Sequence, residues 1–245
     1  MSTLQGLALR LHGPLQAWGG PVVGDDRPTL PFPSRSGVLG LLAACLGIRR
    51  RDSENLAALA RGTRVHIRVD AAGTPLVDDQ TIQENPNASA TRQTIQSKRT
   101  YLCDASFVAI VVPGPSFSIE RLATAVARPV FAPCLGRRTC VPSTPLLLGP
   151  RQAEGDIIDL FASVPRAPEP LLARLRGSKA VRESMDFYLD ADDHPRRLRR
   201  LRIRDELGGP LPRMFRERFV VHVRVASARS DGDSSMDPWM SGALS

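Results

Sequence analysis

Two stretches decide the fold: Leu11-His-Gly-Pro-Leu-Gln-Ala-Trp-Gly-Gly20 and Pro31-Phe-Pro-Ser-Arg-Ser-Gly-Val-Leu-Gly-Leu-Leu-Ala-Ala-Cys-Leu-Gly47. Leucines alternate with other residues before and into the first stretch, which predicts a strand over residues 4–12. The second stretch is strongly apolar after its Ser-Arg-Ser-Gly segment, which predicts a buried helix over residues 36–47. Together they predict a strand that passes through a long loop into a helix.

The start of this helix is a candidate phosphate site. Ser34 or Ser36 is the predicted N-cap, and the first backbone N–H groups are free where the helix dipole is positive. With Arg35 and Gly37, this first turn could hold a phosphate, whereas the rest of the helix is expected to be core. Residues 13–35 are too long for a plain connection, which is typical of a functional loop.

The chain continues with alternating strands and helices. We predict helices over Ser53–Arg61 and Ser116–Arg128, and strands over Arg64–Val69, Asp104–Val112 and near Pro129–Pro133. The strand Asp104–Val112 is apolar on both faces, which predicts a position in the centre of a sheet. The order predicts an α+β fold, a modified ferredoxin-like or RRM-like βαββαβ domain.

A polar insertion over residues 71–101 interrupts this unit. Thr81-Ile-Gln83 recurs as Thr94-Ile-Gln96 on the other side of a predicted turn, Asn85-Pro-Asn-Ala-Ser89. Two similar arms around a turn predict a protruding β-hairpin. The alternative is a disordered surface loop.

The C-terminal part is less regular. Residues 150–178 are predicted to be a linker or an irregular segment, and strands are predicted over Asp186–Asp190, Arg196–Arg204 and Arg216–Val225. Arg196–Arg204 should point Leu201 and Ile203 inward and Arg200, Arg202 and Arg204 outward. The predicted division is an RRM-like domain (1–148, with a hairpin insertion at about 75–103), a small C-terminal antiparallel β region (149–226) and a flexible tail (227–245).

The charge predicts a polyanionic partner. The formal net charge is +8, and all basic residues except Lys98 and Lys179 are arginine. A G+C-rich genome accounts for most of the Arg-to-Lys ratio but not for the net charge. Arginine also offers bidentate phosphate contacts and stacking. Arg49-Arg-Arg51 could reach RNA, or could only complement the helix end before it.

The four cysteines lack metal-ligand spacing, so buried free thiols in a reducing compartment are expected. The sequence carries neither a signal-peptide pattern nor an apolar run of about 18 residues. We therefore expect a cytoplasmic protein without a membrane partner.

Catalysis has little support in the sequence. No nucleophile motif is present, and Asp78-Asp79 and Asp192-Asp193 lie in polar segments typical of solvated carboxylates. A metal-independent ribonuclease needs a base, an acid and a cation, and His12, Tyr101 and Lys98 are of the right types.

Binding of RNA through loops fits better. Neither RNP signature is present, and the central strand is apolar on both faces, so bases are not expected to stack on the sheet. The candidate loops are Trp18 with its neighbouring glycines, Ser34–Gly37, Gly136-Arg-Arg138 and the hairpin at 78–101. The alternatives are that Trp18 is a packing residue and that Arg137-Arg138 is a solvated turn.

Several long motifs, in order, resemble a known family. They are Leu11-His-Gly-Pro-Leu-Gln-Ala-Trp-Gly19, Arg27-Pro-Thr29, Pro33-Ser-Arg-Ser-Gly-Val-Leu-Gly-Leu-Leu-Ala-Ala-Cys-Leu-Gly-Ile48, Tyr101-Leu-Cys-Asp-Ala-Ser-Phe107, Leu135-Gly-Arg-Arg-Thr-Cys140, Arg202-Ile-Arg-Asp-Glu206 and Leu211-Pro-Arg-Met-Phe-Arg-Glu-Arg-Phe219. The chain resembles the CasD family of subunits in type I-E CRISPR Cascade complexes, most closely over residues 4–150.

The resemblance implies a modified RNA-recognition fold with a thumb hairpin at 78–101 and a small C-terminal β region. It implies an antiviral-defence ribonucleoprotein subunit that grips the 5′ handle of crRNA and contacts the backbone subunit CasC, the large subunit CasA and, through the assembled complex, target DNA. Members of other subtypes process precursor crRNA, but in type I-E a separate subunit does so, which implies a non-catalytic chain.

Three functions are therefore weighed: a crRNA-binding structural subunit, a metal-independent endoribonuclease that cuts repeat RNA, and a protein-interaction module with incidental charge. For the first, no cofactor or metal is expected. The candidate RNA contacts are His12, Gln16, Trp18, Gly19, Arg27, Ser34, Arg35, Ser36, Gly37, Arg49, Lys98, Arg99, Gly136, Arg137 and Arg138.

Overall fold

A single antiparallel sheet organises the computed structural model, which describes residues 3–22, 24–83, 94–167, 184–191, 200–209 and 214–226. Its described strands are β1 (Thr3–Gln16), β2 (Arg64–Ala71), β3 (Thr74–Gln83), β4 (Thr94–Val112), β5 (Leu147–Glu154), β6 (Ser184–Asp190), β7 (Arg200–Gly209) and β8 (Met214–Ala226). Their order in the sheet is β5-β1-β4-β2-β6-β8-β7, and β3 pairs with β4 outside this path. The predicted α+β class with an antiparallel sheet is confirmed.

The described helices cover the two faces of the sheet unequally. They are α1 (Arg35–Cys45), α2 (Ser53–Ala60), α3 (Ile119–Ala127) and α4 (Ile157–Ala162). The first three pack on the face that carries Phe107 and Val111, whereas α4 packs on the face that carries Val108 and Ile110. These four residues lie on β4, so the predicted central position of this strand, with both of its faces covered, is confirmed. None of the described helices is long and apolar enough to cross a membrane.

The strand predicted at Pro129–Pro133 is wrong. Instead, the Val130 and Phe131 N–H groups donate to the carbonyls of Cys45 and Ala44, at 3.0 and 3.1 Å. This segment therefore satisfies the C-terminal carbonyls of α1, which a helix leaves without intrahelical partners.

On the side away from β4, β1 pairs with β5, which overlaps the region 150–178 that we predicted to be a linker or an irregular segment. Pro150 argued against a strand here, but an edge strand such as β5 tolerates a residue without an N–H group. Next, α4 begins with a capping box in which the Asp156 carboxylate accepts from the Asp159 N–H, and the Asp159 carboxylate accepts from the Asp156 N–H. This Asp-x-x-Asp spacing is a sequence signal that could have identified the helix.

The hairpin predicted in the polar insertion is confirmed for its described arms. Its register runs from Thr74 opposite Cys103 to Gln83 opposite Thr94, so the two Thr-Ile-Gln repeats pair with each other. Asp104, with φ of 52°, lies where β4 passes from the hairpin into the main sheet. The predicted turn Asn85–Ser89 lies outside the described residues.

The C-terminal strands extend the same sheet. β6 pairs with β2, placing Tyr188 opposite Ile67, and β8 and β7 follow outward. At the other edge, β5 crosses the predicted boundary at residue 148 and pairs with β1. In β7, Ile203 is buried and Leu201 half-buried, and Arg200 and Arg202 are exposed, as predicted. The predicted tail 227–245 lies outside the described residues.

All four cysteines are free. Cys45 and Cys140 are buried as expected, but Cys103 and Cys134 are half-exposed, which corrects that part of the prediction. Burial raises the pKa of the Cys45 thiol to about 11. Cys45 therefore behaves as a small core residue.

A basic cleft as candidate nucleic-acid interface

A cleft of about 820 Å³ lies between the loop after β1, the outer side of α1 and the segment 131–138. Eleven of the predicted RNA contacts line it: Trp18, Gly19, Arg27, Ser34, Ser36, Gly37, Arg49, Arg99, Gly136, Arg137 and Arg138. Arg50 also lines it, and none of its described lining residues is acidic. Six arginines without a carboxylate make this cleft a site of positive potential.

The helix α1 presents small residues to the cleft. Gly37, Gly40 and Ala44 line it, whereas Val38 and Leu42 are fully buried on the other side. A Cβ atom on Gly40 would meet no heavy atom within 4 Å. The prediction that only the first turn of α1 borders the site is therefore too narrow, because the small-residue side continues to its last turn.

Trp18 forms part of the cleft wall but is only 2% exposed. Its Nε1 donates to Gln16 Oε1 at 3.0 Å, and Gln16 Nε2 donates to the Ala105 carbonyl at 2.7 Å. A Cβ on Gly37 would lie 2.9 Å from the indole Cε3. The indole thus packs against α1, in agreement with the packing alternative, and Gln16 is a buried support for it.

The N-terminus of α1 is occupied by a carboxylate of the protein itself, which corrects the predicted phosphate site. Asp205 Oδ2 accepts from the Arg35 N–H at 2.6 Å, and Asp205 Oδ1 accepts from Arg218 Nε at 2.6 Å. Ser34 is the N-cap, and its Oγ accepts from the Gly37 N–H at 3.2 Å. Asp205 lies on β7, far from Arg35 in the sequence, so no local pattern predicts this hydrogen bond.

The Arg35 guanidinium points into the protein. Its Nε donates to the Thr63 carbonyl at 3.0 Å and its Nη2 to the Ala60 carbonyl, at the C-terminal end of α2. Burial, followed by the nearby charge of Arg218, lowers the pKa of Arg35. Arg35 is therefore a structural residue that joins two helices, not an exposed contact.

Arg137 braces the cleft against the base of the hairpin. Its Nη2 donates to the Arg27 carbonyl at 2.6 Å and its Nη1 to the Thr100 carbonyl at 3.1 Å, with the guanidinium 4.6 Å from the centre of the Tyr101 ring. This contradicts the solvated-turn alternative for Arg137. Gly136 is required beside it, because φ is +93° and a Cβ would lie 1.7 Å from the Ala17 carbonyl oxygen.

The residues available for phosphate contacts are at the rim. Arg49, Arg50 and Arg138 are exposed, and Arg99 is half-exposed. For the run Arg49–Arg51 the sequence left two interpretations, contact with RNA or compensation of the helix end. The position of Arg49 and Arg50 in the cleft favours contact with RNA. Phe131, which is 42% exposed, and Phe215 also line the cleft and were missed. Only the folded chain brings Phe215 to this cleft, since Phe215 lies far along the sequence, at the second position of β8.

The remaining predicted contacts lie elsewhere. His12 is buried, and its Nδ1 lies 3.0 Å from the Ala105 carbonyl oxygen, while Lys98 is exposed on the hairpin arm. Tyr101 is buried under Arg137, and neither it, His12 nor Lys98 lines the cleft. The trio considered for a ribonuclease is therefore not gathered in it. The described residues contain no group of three His, Cys, Asp or Glu side chains placed to hold a metal ion.

Comparisons with known proteins agree with the sequence motifs. The model of the family described as CRISPR-associated protein (Cas5) matches residues 6–221. The chain is 43% identical over 160 residues to the CRISPR system Cascade subunit CasD of Escherichia coli (strain K12), an alignment that covers 60% of this chain and 71% of that protein.

Solved structures give the same result. A chain of a CRISPR RNA-guided surveillance complex superposes with a TM-score of 0.64 and 28% identity, over 90% of each chain. The crystal structure of a Cas protein superposes with a TM-score of 0.59 and 32% identity, over 90% of this chain and 95% of that one. Because the family model spans most of the sequence, the chain belongs to the Cas5 family of CRISPR-associated proteins.

Proposed function

We propose that this chain is a non-catalytic, RNA-binding subunit of a CRISPR Cascade surveillance complex that holds the 5′ handle of crRNA in the cleft. The observation that carries the proposal is the cleft lining, which combines six arginines with glycines and contains no acidic residue among those described. Similarity to a Cascade subunit and to a chain of an RNA-guided surveillance complex supports the choice of RNA as the polyanion.

The cleft divides the work of binding between two kinds of residue. Arg49, Arg50 and Arg138 offer exposed guanidinium groups to phosphates, whose recognition by arginine is often bidentate. Gly40 lines the cleft and faces open space, so that a nucleotide can approach the backbone of α1 closely there. The buried Trp18 and the half-buried Arg137 hold these walls in place.

Assembly belongs to the same proposal. The hairpin of β3 and β4 projects from the main sheet and is suited to close around RNA together with a CasC backbone subunit, with CasA as a second neighbour. Target DNA would be met through the assembled complex, in the cytoplasm. The similarity to CasD motivates these partners.

The test is the salt dependence of binding to a fluorescent handle RNA. If about five phosphates are neutralised, the slope of log affinity against log salt should be roughly −3.5, since each contact contributes about 0.7 on single strands. Arg49→Gln and Arg138→Gln should each flatten the slope by about 0.7.

Arg128→Gln is the matched control, because Arg128 is exposed at the end of α3, outside the cleft. It removes the same charge but should leave the slope unchanged. If all three variants behave alike, net charge rather than the cleft holds the RNA, and the proposal is wrong.

Catalysis is tested separately with the purified chain and labelled repeat RNA in EDTA. We expect intact RNA after long incubation, because His12 and Tyr101 are buried and do not line the cleft. Cleavage that His12→Ala abolishes would establish the endoribonuclease instead. Absence of RNA protection by the chain in its complex would favour the protein-interaction module.

A further inference from the structure

The edge strand β7 carries a row of exposed arginines. Arg200, Arg202 and Arg204 alternate along it and are all exposed, and β7, paired with β8, is the outermost of the described strands on this side of the sheet. Alternate residues of a strand lie about 6.6 Å apart on one side. This repeat is comparable to the separation of successive phosphates in an extended single strand. We call these three residues the arginine ladder.

The surroundings of the ladder leave its charge available. Arg202 meets Glu217 at 3.4 Å, but both side chains are more than half exposed, so salt screens this pair. By contrast, Arg218 on β8 is almost buried and donates to Asp205 through Nε and Nη2, at 2.6 and 3.0 Å. The ladder therefore differs from the arginine that holds the sheet to α1.

An aromatic ring stands beside the ladder. Phe219 lies directly opposite Arg202 in the neighbouring strand and is 49% exposed. Arginines that follow a backbone, combined with an aromatic ring that can stack a base, are the usual elements of a surface for single-stranded nucleic acid. A row of edge arginines that only prevents strand pairing does not need such a ring.

The ladder also adjoins the cleft. Arg204 Nε donates to the Phe215 carbonyl at 3.0 Å, and Phe215 lines the cleft. A strand that leaves the cleft past Phe215 would meet Arg204, Arg202 and Arg200 in turn. We propose that single-stranded RNA held in the cleft continues along the arginine ladder, with a base stacked on Phe219. This inference rests on the proposed function and extends its RNA footprint.

The test compares two RNA lengths on the full chain. A five-nucleotide RNA can fill the cleft alone, whereas a twelve-nucleotide RNA can also reach the ladder. The double variant Arg200→Gln/Arg202→Gln spares Arg204 and its bond to Phe215. It should flatten the salt slope for the long RNA by about 1.4, from about 0.7 per lost contact, and leave the short RNA unchanged. Phe219→Ala should weaken the long RNA by roughly tenfold.

Two controls separate the possible failures. Arg121→Gln/Arg128→Gln removes two exposed charges from α3 and should change neither RNA. Arg138→Gln should weaken both RNAs, and if it affects neither, the proposed function itself fails.

If Arg138→Gln acts on both lengths while the ladder variant acts on neither, the ladder inference alone is wrong. Aggregation of the ladder variant with an unchanged slope would assign these arginines to edge protection. Tight binding of polyglutamate, lost in the ladder variant while RNA binding is unchanged, would assign them to an acidic protein partner. Either result would overturn the inference, and thermal melting confirms that each variant is folded.

Discussion

Arg68 lies on β2 under α4, whereas Arg138 lies at the rim of the cleft on the side of α1, and the two arginines have opposite surroundings. Arg68 is 2% exposed and donates to Asp70 at 2.7 and 3.2 Å and to the carbonyls of Phe161, Val164 and Pro165 at 2.9 to 3.1 Å. Arg138 is exposed and faces a cleft without described acidic residues.

The difference shows that an arginine-rich composition serves two purposes here. Buried arginines donate hydrogen bonds to carbonyl groups that would otherwise have no partner at helix ends and in loops. Arg68 does so for the segment after α4, and Arg35 for the end of α2. Exposed arginines remain available for a polyanion. The count of arginines therefore overstates the number available for the proposed RNA contacts, and burial decides which group each arginine belongs to.

The largest expected effect is on Arg68. Arg68→Ala leaves the Asp70 carboxylate buried without the guanidinium. It also removes the hydrogen-bond donor of the Phe161, Val164 and Pro165 carbonyls. Breaking a buried pair by removing one partner costs about 3–5 kcal/mol in the free energy of unfolding, measured by urea denaturation. Arg138→Ala is the control and should change it by less than about 0.5 kcal/mol. Equal effects would remove the distinction between the two groups.

The second test concerns the N-terminus of α1. Asp205→Asn weakens the partner of the Arg35 N–H and of Arg218, which should cost about 2 kcal/mol of unfolding free energy. If Asp205 truly fills this position, the slope of RNA binding against salt should stay unchanged. A steeper slope in the variant would show that the helix terminus becomes a phosphate site when the carboxylate is removed.

A smaller effect appears only at acidic pH. Burial by itself raises the pKa of Asp186, but hydrogen bonds from Arg224 and His222 outweigh it and lower that pKa below its usual value. A folded-state pKa below the unfolded one gives stability that is present above about pH 4 and is lost as pH falls further. Asp186→Asn should therefore flatten the decline of unfolding free energy between pH 5 and pH 3, measured with urea. Parallel profiles would contradict the ion pair.

The smallest expected change is a gain. Gly40→Ala meets open space and removes a helical glycine, so unfolding free energy should rise by about 0.5–1 kcal/mol while affinity for the handle RNA falls. Gly37→Ala is the matched comparison, because its Cβ would press on Trp18 at 2.9 Å and should lower stability. An unchanged RNA affinity in Gly40→Ala would place the RNA away from α1.

Local patterns were sufficient for most elements. The alternation in β1 and the doubly apolar pattern of β4 identified strands, and the paired Thr-Ile-Gln repeats identified the hairpin. For the start of α1 the sequence offered Ser34 or Ser36 as N-cap, and the structure uses Ser34. The strand predicted at Pro129–Pro133 failed because tertiary hydrogen bonds to α1 outweighed local propensity. Pro150 hid β5 because a local rule does not say which strand lies at an edge.

For the site, the sequence determined the residue types and predicted a polyanionic partner, since charge, glycines and long motifs are properties of the chain itself. Only the tertiary structure decided the roles. It placed Asp205 at the start of α1, buried His12, Gln16 and Arg35, and brought Phe131 and Phe215 to the cleft. The physical reason is that burial and hydrogen-bond partners depend on contacts between residues as far apart as 35 and 205, which no local pattern encodes.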